Sequence, residues 1–116
     1  DWTNDDQPYL MSLEGGRQLV SVPYSVELND KPAFEKYCRT AAEFGDMIRR
    51  QFDVLYEEGA ESARVMAIAL HPYLSGVPHR IGALDAALEY VCRHDGVWHA
   101  TGAEIASCYL AQAATR

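Results

Sequence analysis

The chain has no apolar run near the roughly 20 residues that a membrane-spanning helix needs. It also lacks an N-terminal region that is basic and then apolar, as an export signal would be. Basic residues are scarce: ten Lys and Arg stand against seventeen Asp and Glu, a formal net charge of -7. That balance excludes general binding to nucleic acid or to an anionic membrane. Cysteine is sparse and odd in number, and Cys38, Cys92 and Cys108 form no CxxC pair. They read as buried free thiols in a reducing compartment rather than as a disulfide framework. A cytoplasmic protein is expected. No repeat, low-complexity segment or linker interrupts residues 1–116, so a single domain without internal boundary is expected.

What is present is an alternation of extended and helical patterns. Tyr9 to Leu13 and Leu19 to Leu28 look like strands separated by a Gly15-Gly16 turn. Asp30-Lys31-Pro32 reads as a helix start with Asp30 as N-cap. Phe34, Tyr37, Cys38, Ala41, Phe44, Ile48, Phe52 and Leu55 then follow at helical spacing as one stripe. Glu35 with Arg39 and Asp46 with Arg50 are spaced for i,i+4 pairs on its outer face. A loop at 73–78 precedes a helix from about His79 to Arg93, burying Ile81, Leu84, Leu88, Val91 and Cys92. Val97 to Ala100 reads as a short strand. Thr101-Gly102-Ala103-Glu104 is a capping-box pattern opening a last helix with Ile105, Cys108, Tyr109 and Ala113. The order β-β-α-β-α-β-α predicts an α/β fold of parallel strands with helical crossovers.

The stretch Val65-Met66-Ala67-Ile68-Ala69-Leu70-His71-Pro72 carries the chemistry. An unbroken apolar run reads as a strand covered on both faces, as in parallel sheets. Pro72 cannot donate to a ladder, so the strand ends there. His71 therefore sits at the C-terminal mouth of a parallel strand, where α/β folds place their active groups. An imidazole suits proton transfer near neutral pH. A satisfied strand-end histidine fits the same position. His94 and His99 have no third ligand nearby in sequence, which weighs against a metal site.

Four segments together resemble the C-terminal part of a polysaccharide deacetylase (NodB-homology) protein, nearest the allantoinase-like and cyclic-imidase-like subgroup. They are Asp1-Trp2 through Pro8-Tyr9, Val22-Pro23-Tyr24-Ser25-Val26-Glu27-Leu28-Asn29-Asp30, Leu70 through Ile81, and His94-Asp95-Gly96-Val97-Trp98. The resemblance implies a distorted (β/α) TIM-like barrel that hydrolyses C–N bonds in amides, cyclic ureides or N-acetyl sugars. Such a barrel needs roughly 250 residues, so this chain would be its C-terminal portion, partnered by the N-terminal remainder. By the resemblance, His71 is the general acid toward the leaving nitrogen and Asp6 a second catalytic group. Trp2, Asp5, Glu27, Asn29, Leu70 and His79 would face substrate.

Each has a plainer alternative: Asp5-Asp6 as a solvated turn, His79 as a loop or capping residue. The family's metal site has no match in these residues, so the ligands of any divalent metal such as zinc would lie upstream. Two functional classes stay open, a C–N hydrolase and a non-catalytic carbohydrate- or metabolite-binding module that keeps the groove. The unpaired strand edges of a partial barrel predict a homo-oligomer.

Overall fold

The structure is a computed structural model and describes residues 5–114. It is mostly helical with one small sheet. Strands β1 (Tyr9–Ser12) and β2 (Gln18–Ser21) pair antiparallel, Tyr9 opposite Ser21 and Ser12 opposite Gln18. The turn between them uses Gly15 and Gly16 at φ 75° and 73°, a left-handed conformation that favours glycine. The second strand stops at Ser21 rather than running to Leu28. Pro23 follows, which has no N–H to give to a ladder.

The long helix expected from Asp30 is in fact two elements. Pro32–Lys36 is a single π-helical turn closed by the Tyr37 N–H on the Pro32 carbonyl at 2.9 Å. The chain then reverses through Cys38, at φ 49°, and α1 (Ala41–Gly59) begins afresh. Thr40 and Glu43 supply the reason: each accepts from the other's backbone N–H, at 3.2 and 2.7 Å, a complete capping box. Tyr37 and Cys38 consequently drop out of the apolar stripe and are exposed. Arg39 pairs with Glu43 instead of Glu35, while Asp46 and Arg50 meet at 2.8 Å as their spacing predicts.

After α1 come the short α2 (Pro72–Ser75), then α3 (Pro78–Cys92) and α4 (Gly102–Ala113). The core lies between α1 and α3: Phe44, Ile48 and Phe52 pack against Leu84, Ala87 and Val91, with Leu28, Phe34 and Leu74 closing one end. Arg80 lays its guanidinium 4.3 Å over the Phe34 ring, tying the π-turn to α3. Ile81, Leu88 and Cys92, expected inside, are exposed, and Ala87 takes the inner position. All three cysteines are free and exposed rather than buried. α4 has the Thr101–Glu104 capping box that its sequence predicts, yet buries no residue.

The parallel sheet is reduced to one bridge. Ala69 donates to Leu28 at 2.9 Å and accepts from Asp30 at 3.1 Å, pairing Ala69 with Asn29 in parallel. Val65 to Ile68 belongs to no ladder and is half-buried, and 97–100 forms no strand. A strand exists only by its neighbours' hydrogen bonds. Among the described residues Met66, Ile68 and Val97 pack against the core, and neither run has a second strand to pair with.

Candidate active site

The Asn29–Ala69 bridge sets two strand ends side by side, so that Asn29-Asp30 stands next to Leu70-His71. Asp30 is fully buried. A buried carboxylate needs donors for both oxygens, and here it has them. Its Oδ2 accepts from the His71 backbone N–H and from the Ser75 hydroxyl, both at 2.7 Å. Its Oδ1 faces His71 Nδ1 at 2.6 Å. Burial pushes the Asp30 carboxyl upward, but the His71 N–H, the Ser75 hydroxyl and the His71 ring outweigh it and hold it below the usual value. The group is therefore an ionised acceptor.

Ser75 reaches Asp30 because α2 turns the chain back immediately after His71. The His71 carbonyl accepts from the Leu74 and Ser75 N–H groups at 2.9 and 3.0 Å, and Pro72 occupies the first turn, where no N–H is required. Gly76 closes the turn. A Cβ there would lie 2.5 Å from the Pro72 carbonyl oxygen, so no larger residue fits without moving backbone. The His71 side chain keeps 37% exposure. Because Nδ1 is turned onto a fully buried carboxylate, the ring nitrogen left for a further partner is Nε2. Tyr73 stands edge-to-face with it, ring centres 5.7 Å apart.

Of the residues singled out from sequence, Asn29 and Leu70 are brought to His71. Asn29 is held twice, donating to the Tyr24 hydroxyl at 3.0 Å and accepting from the Lys31 N–H at 3.0 Å. Leu70 is 40% exposed beside it. His79 lies exposed in the first turn of α3. Asp5 accepts from the Gln7 N–H at 3.2 Å, a local turn contact. Trp2 falls outside the described residues.

Asp6 makes no contact with His71 among the described residues. Its carbonyl accepts from Val65 N–H at 2.8 Å, and residues 65 to 71 can span up to roughly 20 Å when extended. Asp6 instead shares an open groove of about 450 Å³ with Glu27 and with Met47, Arg50 and Val54 of α1. There, burial first and then the Glu58 charge raise the Asp6 carboxyl above its ordinary value, against the opposing pull of Arg64.

Asp30 and Ser75 are the residues that reading the sequence missed. In sequence Asp30 reads as a helix cap, but its side chain turns to His71 and leaves that start without a side-chain cap. The available signal was register: a polar Asn29-Asp30 pair ends one apolar segment as His71 ends another. His94 proves structural, enclosed by Phe52, Tyr56 and Tyr90 at ring distances of 4.8 to 5.0 Å, with Nδ1 on the Tyr90 carbonyl at 2.8 Å. Among the described residues no three His, Cys, Asp or Glu side chains converge as a metal site would require.

No protein-family profile matches the chain. A protein of Schizosaccharomyces pombe assigned as a polysaccharide deacetylase is 38% identical over 122 aligned positions, covering 97% of this chain and 38% of that protein. The crystal structure of PuuE allantoinase superposes with a TM-score of 0.85 at 33% identity, over 93% of this chain and 36% of the other. A Pseudomonas aeruginosa PAO1 structure described as a polysaccharide deacetylase gives 0.81 at 34% identity, covering 90% and 35%. The chain thus spans little more than a third of the length of the relatives it matches.

Proposed function

We propose, from the premise that this chain is a partial-length member of the polysaccharide deacetylase family, that it carries the acid side of a C–N hydrolase site. The observation behind this is His71, held through Nδ1 by buried Asp30 while its side chain keeps 37% exposure. In amide or cyclic-ureide hydrolysis, water adds to the carbonyl and the departing nitrogen must gain a proton. In this reading Nε2 of His71 gives it. Asn29 and Leu70, at the same two strand ends, flank the position where substrate would lie.

The remaining groups come from further (β/α) units that complete a TIM-like barrel. The shape of the chain supports this. Its radius of gyration is 15.9 Å, against about 13 Å for a compact domain of this length. A helix that buries nothing and an apolar run without a ladder are surfaces that such units would cover. The described residues do not fit a metal site, and no step here runs through one.

The test is hydrolysis by the full-length protein of allantoin, cyclic imides and N-acetylglucosamine oligomers. Turnover of one class, lost in His71→Ala with the fold retained, is the expected result. Binding of a ligand without turnover would instead make the site a recognition module.

A further inference from the structure

We propose that Asn29 contacts the substrate, donating to the oxygen of the scissile carbonyl through the one Nδ2 hydrogen that its own contacts leave over. The proposal rests on the hydrolase reading for the reaction; the hydrogen-bond arrangement of Asn29 does not depend on it.

The orientation of the Asn29 amide is set by a backbone donor. The Lys31 N–H, 3.0 Å away, needs an acceptor, so Oδ1 stands there. Nδ2 is thereby turned to the Tyr24 hydroxyl at 3.0 Å, where the phenol oxygen accepts. An amide nitrogen carries two hydrogens. The Tyr24 contact takes one, and no described residue accepts the other.

The direction of the side chain follows from strand alternation. Ile68 packs against the buried core, so Ala69 faces away from the helices. Asn29 pairs with Ala69 in parallel and takes the same face. His71, two residues beyond Ala69 in extended backbone at φ -118° and ψ 122°, returns to it. The side chain between them in the register, Ala69, is a methyl group, which leaves room for a ligand beside both.

The chemistry calls for a donor at this place. Hydrolysis consumes one water, whose hydroxyl ends on the carbonyl carbon and whose other proton ends on the departing nitrogen. As water adds, the C=O π pair moves onto oxygen; when the C–N bond breaks, its electrons leave with nitrogen and C=O re-forms. A fixed N–H beside that oxygen is worth most when the charge on it is largest. The Asn29 amide is held through both its oxygen and its nitrogen before substrate arrives, so the donor has no reorganisation to undergo.

The experiment pairs kinetics with side-chain amide NMR on the full-length protein. Asn29→Asp keeps an acceptor for the Lys31 N–H and removes the donor. Compared at the plateau of each pH profile, its kcat should fall roughly 10²- to 10³-fold with KM little changed. An Asn29→Asp enzyme with wild-type kcat overturns the proposal, since only an acceptor would then be required. The second measurement titrates His71→Ala with allantoin, succinimide or the N-acetylglucosamine trimer. The probe that wild type hydrolyses should move one Asn29 Nδ2 proton downfield. An Asn29 side chain unmoved by that probe overturns the proposal even where Asn29→Asp fails to fold. Undiminished turnover in His71→Ala sinks the acid role of His71 and leaves the Asn29 kinetics standing, so the two failures are distinct.

Discussion

Gly45 of α1 faces the Ala83 carbonyl of α3 so closely that a Cβ on Gly45 would stand 3.0 Å from that oxygen. The contact is backbone against backbone, within the largest helix pairing among the described residues. Gly82, one residue away on α3, has nothing within 4 Å of its would-be Cβ. Two glycines in adjoining helices therefore make opposite demands.

Substituting Gly82→Ala should stabilise by about 0.5–1 kcal/mol, since alanine loses less backbone freedom in a helix. Gly45→Ala gains the same propensity but must push α1 from α3, and overpacking costs typically 1–3 kcal/mol. A net loss is expected. Urea midpoints of the two variants check both signs, and a stabilised Gly45→Ala would mean that the helices separate freely.

The two capping boxes should differ in weight. Thr40→Ala removes the cap of α1, the helix that carries Phe44, Ile48 and Phe52, and should cost about 1 kcal/mol of global stability. Thr101→Ala removes the same contact from α4, which buries no side chain. It should fray that helix without moving the main transition. Amide hydrogen exchange, read helix by helix, separates these outcomes.

Asp30 makes stability depend on acid. Its folded-state pKa lies below the ordinary 3.8, so the unfolded chain binds the proton first as pH falls. The contribution is fully present above about 3.8 and is lost as pH drops through the lower, folded value. Asp30→Asn should be less stable at neutral pH by about 1–3 kcal/mol and show a shallower decline below pH 4. Denaturation curves between pH 2 and pH 7 test this; parallel curves would refute it.

Asp6 carries the opposite sign. Its carboxyl is raised by burial and by Glu58, so the folded state takes up the proton first and the ionised form carries a penalty above that raised pKa. The penalty is relieved as pH falls through it. Asp6→Asn should therefore stabilise the protein at neutral pH by up to about 1 kcal/mol. Because Asp6 sits in the α1 groove rather than beside His71, turnover should remain close to wild type. A large drop in kcat would return Asp6 to the reacting centre.

Local signals in the sequence are legible where one segment decides its own structure. The Gly15-Gly16 turn, the Thr101–Glu104 box and the Asp46–Arg50 pair depend on residues within four positions of each other. Thr40-Ala41-Ala42-Glu43 has the same capping pattern, but it is masked by an apolar stripe at helical spacing that runs straight through it. Periodicity records which faces could be buried, and it does not record a reversal such as the one at Cys38. The strand expected at Val65 to Leu70 failed for a different reason: ladders belong to pairs of segments, and among the described residues only Ala69 of this run forms a bridge. The position of His71 was legible from Pro72 and the apolar run before it. Its partner was not, since Asp30 lies 41 residues earlier and carries a plausible local role of its own.

That separation also bears on the order of assembly. Between Asp30 and His71 lies the whole of α1, a helix with its own cap that can form from local contacts in microseconds or less. The carboxylate seat can form only after that intervening chain is folded back and its ends are brought together, a closure paid for in chain entropy. The imidazole is thus oriented by a contact of high sequence separation, and its formation is expected to follow that of α1. Destabilising variants in the α1–α3 core should consequently slow the appearance of an oriented His71 more than they slow helix formation.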